Sequence, residues 1–282
     1  MDNILEISNL KKTYDEFILD DISLTIPKGC IMGLVGQNGA GKSTTIKLIL
    51  NMIQRDQGEI KVFGLDNRKD EMPIKELLGV VFEESSFPEN MNALNVNLVM
   101  KHVYLHWSES TFKNYLKRFD LPSNKIIKAY SRGMKMKLAI AVALSHSAKL
   151  LVLDEPTSGL DPMIRDEILD IFLEFIQDET QGILISSHII SDLEKVADYI
   201  SLLHNGKLML NKSKDNLLED YVILKCSKEI YQSMDKSRVI GCRKNQFGVE
   251  LLVDRDMALP GAIIDRPSLE DIMLYHVKGV GK

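Results

Sequence analysis

Cysteine is scarce in this chain: Cys30, Cys226 and Cys242 lie far apart and form no C-x-x-C pair. An odd count without metal-ligand spacing argues against a disulfide framework and a zinc site, and fits a reducing, cytoplasmic setting. Also lacking is any charge-free apolar run of the ~20 residues needed to cross a bilayer. A role at a membrane would therefore need another polypeptide to do the spanning. The opening stretch MDNILEISNLKKTYDEF starts acidic and has neither the basic region nor the apolar run of a secretory signal. Positive charge is not in excess either. With 40 acidic against 35 basic residues the formal net charge is −5, so no global field favours nucleic acid as a partner. No internal repeat or low-complexity segment is evident.

What is present suits a packed core. Hydrophobic residues make up 45% of 282, enough for one large domain or two smaller ones. Ile22, Leu24 and Ile26 alternate with polar residues and predict a half-buried strand ending at Pro27-Lys28-Gly29. Cys30 to Val35 is almost continuously apolar, as expected of a strand covered on both faces. A glycine-rich turn follows, and Ile46, Ile49, Leu50 and Ile53 give Lys42 to Ile53 a helical period. GEIKVFG and LLGVVFE predict two further strands, the second ending near Glu83.

From about 85 to 145 the apolar spacing becomes helical, interrupted by Pro88 and Pro122, and predicts a mainly helical insertion. Leu150 to Leu153 restores a buried strand, followed by a helix near Met163 to Ile176 and a strand at Ile183 to Ser186. Alternating strands and helices imply an α/β fold around a largely parallel sheet. Tyr199 to Asn211 holds two short apolar runs around Asn205-Gly206, the pair suited to a type I′ hairpin. Beyond Asp215, strands at Tyr221 to Cys226 and Gly248 to Asp254 and a helix after Pro267 predict a small α+β addition. The division expected is a main domain over 1–214 and an accessory region over 215–282.

Two patterns carry chemistry. Gly36-Gln37-Asn38-Gly39-Ala40-Gly41-Lys42-Ser43 fits G-x-x-x-x-G-K-[ST] between a strand and a helix, the context that motif requires. Glycines let the backbone wrap phosphates, and N–H groups at the helix start point at the anion. Lys42 is expected to neutralise β- and γ-phosphate charge, and the Ser43 hydroxyl to ligate Mg²⁺. Leu150-Leu151-Val152-Leu153-Asp154-Glu155 delivers two adjacent carboxylates at a strand end, where ligands of open α/β sheets gather. Asp154 is placed to hold Mg²⁺ through its water shell. Neighbouring strand residues alternate in direction, so Glu155 is expected to point differently and polarise an attacking water. The phosphate loop alone is compatible with kinases, GTPases and many ATPases.

With further motifs the chain resembles the ATP-binding cassette (ABC) ATPase family over about residues 4 to 210. Tyr130-Ser131-Arg132-Gly133-Met134-Lys135 is similar to that family's LSGGQ signature. Ser158-Gly159-Leu160-Asp161-Pro162 resembles its D-loop, Ile185-Ser186-Ser187-His188 its switch histidine, and Tyr14, shortly before the first strand pair, the aromatic that stacks on adenine.

The resemblance implies a P-loop cassette with a mostly parallel sheet, an antiparallel β part, the helical insertion and a small C-terminal α+β extension. It implies ATP contacts at Tyr14, Gly36, Asn38, Gly39, Ala40, Gly41, Lys42, Ser43, Thr44, Glu83, Ser131, Gly133 and Asp161. It implies Mg²⁺ at Ser43, Asp154 and Glu83, and catalysis by Glu155, His188 and Lys42. Ser131 and Gly133, read as preceding an amphipathic helix, would meet the γ-phosphate of ATP on a second nucleotide-binding subunit. A homodimer is the favoured pairing, because Glu155 and Ser131 lie in one chain.

The chain departs from the family pattern twice. Arg132 stands where the signature has a small residue, and Glu83, followed by Glu84, stands where a glutamine is expected. The implied role is an ATPase that drives separate transmembrane subunits from the cytoplasmic face of the cell membrane. The resemblance extends to exporter-type ATPases of the bacitracin-resistance and ABC-2 groups, including exporters of amphipathic peptides such as phenol-soluble modulins. The other readings are a soluble ABC ATPase acting on ribosomes or DNA, and a P-loop nucleotide kinase.

Overall fold

The computed structural model describes residues 2–83, 87–257 and 263–279. Glu84 and the first two residues of the expected helical insertion lie outside these. In chain order the elements are β1 (Asn3–Thr13), β2 (Ile18–Pro27), β3 (Cys30–Val35), α1 (Lys42–Ile49), β4 (Gln57–Val62), β5 (Leu65–Asp66), α2 (Glu71–Glu76) and β6 (Leu78–Val81). Then come α3 (Ala93–Val103), α4 (Glu109–Arg118), α5 (Arg132–Ala143), β7 (Leu150–Asp154), α6 (Pro162–Phe175), β8 (Gly182–Ser187), α7 (Ile190–Val196), β9 (Tyr199–His204) and β10 (Lys207–Ser213). The chain continues through α8 (Lys214–Asp220), β11 (Tyr221–Cys226), α9 (Lys228–Ser233), β12 (Val239–Lys244), β13 (Val249–Asp254), β14 (Ile263–Asp265) and α10 (Leu269–Lys278).

Among the described residues the central sheet has the order β10-β9-β3-β8-β7-β6. Its strands are parallel except β10, which pairs antiparallel with β9. Strands β7 and β8 are buried at every position, their polar ends Asp154, Ser186 and Ser187 included, as a parallel sheet covered on both faces demands. A second sheet, β2-β1-β4-β5, is antiparallel. Its β1 was not foreseen, because Glu6, Lys11 and Lys12 interrupt the apolar pattern. Pairing with β2 and β4 on its two edges makes this stretch a strand. Asn205 and Gly206 both take positive φ, 48° and 74°, as a type I′ turn between β9 and β10 requires.

The helical insertion is built from capped helices. Asn92 and Asn95 form a reciprocal capping box at α3, and Ser108 caps α4. Phe112, Leu116 and Phe119 pack into the main core beside Ile168, Leu169 and Phe172 of α6. Helix α1 stops at Ile49, short of the expected Ile53. Asn51 adopts a left-handed φ of 53°, which ends a helix. Ile53 still packs against the core from outside the helix.

Beyond 215 the third sheet, β12-β13-β11-β14, is antiparallel. Alternation along β11 gives it two apolar faces. Val222 and Leu224 meet Leu251 and Val253 in a small separate core. Tyr221 and Ile223 join the main core with Leu269, Ile272 and Met273 of α10. The backbone N–H of Leu269 donates to the Glu194 carboxylate of α7 at 3.2 Å. The three cysteines are free thiols.

Candidate active site

Parallel register brings three strand ends to one edge. Val35 pairs with Ser187, and Asp154 with Ser186, so the segments after β3, β7 and β8 emerge side by side. The loop after β3 turns tightly, with the Ala40 N–H donating to Gln37 O at 3.0 Å. A Cβ at Gly36 would lie 2.5 Å from Leu203 O, so only glycine lets β9 approach there. Gly41, with φ 112°, starts α1 without a side-chain cap. Its first-turn N–H groups therefore lack an intrahelical partner and suit an anion. The ammonium of buried Lys42 folds back over the loop and donates to Gly36 O at 2.7 Å.

Tyr14, Phe17, Gln37, Asn38, Gly39, Gly41, Lys42, Ser43, Thr44, Glu83 and Glu155 surround a cavity of about 400 Å³. Eight of the predicted residues thus share one wall or another with Glu155. Ala40 lies behind the loop, buried, its carbonyl accepting from the Gly206 N–H at 3.1 Å. Tyr14 follows β1 in the turn to β2; the expectation that it precedes the first strand pair failed because β1 was not foreseen. Phe17 was missed. It sits 3.1 Å from where a Gly41 Cβ would stand and offers a second aromatic wall. Its proximity in sequence to Tyr14 was the available signal.

Asp154 and Glu155 are 8% and 7% exposed, and the buried carboxylates have different partners. The Ser186 hydroxyl donates to Asp154 Oδ1 at 2.6 Å and accepts from the Glu155 N–H at 3.1 Å. Glu155 Oε2 lies 2.6 Å from His188 Nδ1 and accepts from the His188 backbone N–H at 3.3 Å. An ionised carboxylate can only accept, so His188 carries its proton on Nδ1 here. Glu155 Oε1 is 3.2 Å from Lys42 Nζ, an ion-pair distance off hydrogen-bond direction, and has no hydrogen-bond donor. The divergence of the two acids was expected from strand alternation, but β7 ends at Asp154. Glu155 has φ 52°, and that left-handed backbone is what re-aims its side chain. Ser186, the buried link between the acids, was read as a strand residue and part of the switch-histidine motif, with no role of its own.

Ser131, Gly133 and Asp161 do not line this cavity. Ser131 caps α5, its hydroxyl accepting from the Met134 N–H at 3.2 Å. Gly133 was expected before that helix but lies in its first turn, where a Cβ would meet Ile164 Cδ1 at 2.7 Å. Nor is α5 amphipathic: Leu138, Ile140, Ala141, Val142 and Ala143 are all buried in succession or nearly so. Asp161 caps α6, accepting from the N–H groups of Met163 and Ile164 at 3.1 Å each, with Pro162 in the first turn. No cluster of three or more His, Cys, Asp or Glu able to hold a metal ion occurs among the described residues.

A parallel sheet with a glycine-rich phosphate loop, a lysine over it and a buried acid–histidine pair defines a P-loop nucleoside triphosphatase. The family model for ABC transporters matches residues 19–158. The chain is 39% identical over 216 residues to the lantibiotic transport ATP-binding protein SrtF of Streptococcus pyogenes, covering 75% of this chain and 92% of the relative. It is 34% identical over 212 residues to the bacitracin transport ATP-binding protein BcrA of Enterococcus faecalis, covering 74% and 69%. A solved ATP-binding subunit of an ABC transporter superposes with a TM-score of 0.70 at 27% identity, covering 76% of this chain and 91% of that one.

The chain belongs to the ATP-binding subunits of ABC transporters. It binds and hydrolyses ATP, with hydrolysis coupled to transport, and it works with transmembrane subunits. The ribosome, DNA and nucleotide-kinase readings fall away, since the similar proteins are transport ATPases. No helix among the described residues is long and apolar enough to cross a membrane.

Proposed function

We propose that ATP occupies the cavity over Lys42 and that a second copy of this chain completes the site with Ser131, Gly133 and Asp161. The observation that carries this reading is the separation of the two halves. Lys42, Glu155 and His188 form one contiguous chain of contacts, while Ser131 and Asp161 cap helices away from that cavity. Tyr14, with Phe17 beside it, takes the adenine, and the loop from Gly36 to Thr44 takes the phosphates. Lys42, which faces Glu155, turns its charge to the β- and γ-phosphates. Glu155 accepts a proton from the attacking water, and His188 holds the carboxylate in place.

A Mg²⁺ ion fits the donors present. The Ser43 hydroxyl and the carboxylates of Asp154 and Glu83 are hard oxygen ligands, too few for a protein cage, which suits an ion that keeps waters and takes phosphate oxygens. When bound it would spread the charge of the phosphate oxygens.

The chain acts at the cytoplasmic face of the cell membrane as a peripheral subunit of an exporter, a direction supported by its likeness to the lantibiotic and bacitracin transport proteins. Residues 1–214 form the ATPase domain, with its helical part over about 85–145, and 215–282 an accessory region. A membrane subunit docks on the apolar groove of about 370 Å³ lined by Met52, Met72, Val80, Phe82, Val103 and Tyr104. Met52 and Val103 are more than half exposed and Met72 is 77% exposed. Phe82 lines this groove and the next residue, Glu83, lines the ATP cavity, so the two sites are joined by one short segment.

The test is an affinity pull-down from detergent-solubilised membranes, followed by sizing of the Glu155→Gln chain with ATP and Mg²⁺. A stoichiometric multi-span partner and an ATP-dependent dimer are expected. A chain that stays monomeric with ATP would overturn the composite site.

A further inference from the structure

The two residues that depart from the family pattern meet each other. Arg132 Nη2 donates to Glu83 Oε1 at 2.9 Å, and the Ser158 hydroxyl donates to the same oxygen at 3.3 Å. Each side chain is poorly placed alone. Arg132 is the first residue of α5, where the partial positive charge of the helix N-terminus disfavours a cation. Glu83 lines the ATP cavity, where its carboxylate repels a triphosphate. Paired, the two charges offset. The guanidinium also lies against Gly159: a Cβ there would stand 3.0 Å from Arg132 Cζ and Nη1. One side chain thus touches the loop after β6 and the segment that follows Glu155.

We propose that Arg132 is a positioning residue for Glu83. It holds the carboxylate at the cavity edge, neutralised, so that a nucleoside triphosphate binds beside it, and ties that loop to the start of α5 and to Ser158. This deepens, and rests on, the reading of the cavity as the ATP site. The side chains of Arg132 and Glu83 are 49% and 47% exposed, so water and salt screen the pair. An effect of about threefold on affinity is expected, the scale of an exposed ion pair. It is larger for ATP than for ADP, because the γ-phosphate adds negative charge.

The test is calorimetric titration of the full-length chain with ATP and with ADP at low and high salt. It compares wild type, Arg132→Gln, Glu83→Gln and the double variant. Arg132→Gln should weaken ATP binding about threefold at low salt and less at high salt. In the Glu83→Gln background the same Arg132→Gln change should cost nothing, because no uncompensated carboxylate remains. A merely structural role for Arg132 would weaken binding equally with Glu or Gln at residue 83, and that result, or an Arg132→Gln chain that binds like wild type, overturns the proposal. Lys42→Ala separates the two readings. If it binds ATP as wild type does, the assignment of the cavity itself fails. If binding depends on Lys42 while the Arg132 and Glu83 effects simply add, only the pairing fails.

Discussion

His188 holds the carboxylate of Glu155 twice, through Nδ1 at 2.6 Å and through its backbone N–H at 3.3 Å, both to Oε2. The side-chain contact is the one a substitution removes. His188→Ala should therefore lower kcat by about a hundredfold, the scale of a misplaced general base, while ATP affinity stays close to wild type. Phosphate release at saturating ATP, read beside a nucleotide titration, checks this. A raised KM with unchanged kcat would place His188 in binding instead.

Glu155→Gln should slow hydrolysis by about 10²- to 10⁴-fold, as expected for loss of a general base. It should also tighten ATP binding. Lys42 Nζ faces Glu155 Oε1 at 3.2 Å, a contact that competes with the phosphates for the lysine. Removing the acid's charge frees the ammonium. Titration of ATP against both chains reads this second effect, and weaker binding in the variant would count against the competition.

Gly206→Ala should destabilise the chain by about 3 kcal/mol, the upper range for forced backbone strain. The residue has φ 74°, and its Cβ would lie 1.8 Å from Ile18 O, a backbone atom that cannot step aside. Its N–H also donates to Ala40 O in the phosphate loop, so ATP binding should weaken as well. Chemical denaturation measures the first effect. An unchanged midpoint would mean that β2 and the hairpin are not held this closely.

Acid should destabilise the fold through His146, which is fully buried against the ring of Tyr104 at 3.8 Å. Burial pushes its pKa below the usual value, against the opposing pull of the Leu78 and Val142 carbonyls and of Glu76. A neutral ring has one N–H for its two carbonyl neighbours at 2.9 and 3.2 Å. Because the folded pKa lies under the unfolded value of about 6.5, the unfolded chain binds more protons in that window. Stability is full above about pH 6.5 and falls as the pH drops below it. His276, lowered first by burial and then by Lys212, acts in the same direction. The Tm of His146→Gln should therefore fall less than that of wild type between about pH 7.5 and 5.5. Parallel slopes would put the acid sensitivity elsewhere.

Much of the fold was legible because its signals are local. The apolar runs Cys30–Val35 and Leu150–Leu153, too short for helices, read as buried strands, and Asn205-Gly206 read as a type I′ turn. What stayed hidden depended on partners. Thr13 and the charged residues before it carry no strand period, and only β2 and β4 make them one. Phe17 looks like any loop aromatic until Gly41 is placed beside it. The direction of Glu155 could not be had from alternation, because a left-handed φ at a strand end is set by the tertiary frame.

The amino-acid sequence by itself determined the phosphate loop, its lysine and the acid-ended strand, because glycine φ freedom, helix starts and apolar runs act over a few neighbouring residues. Only the tertiary structure decided that Lys42, Glu155 and His188 join in one chain of contacts, that Ser131 and Asp161 stand apart from it, and that Glu83 finds Arg132. Those meetings follow from the parallel register of β3, β7 and β8 and the docking of α5 against β6. Strands so distant along the chain are aligned by long-range packing, which no short stretch of residues encodes.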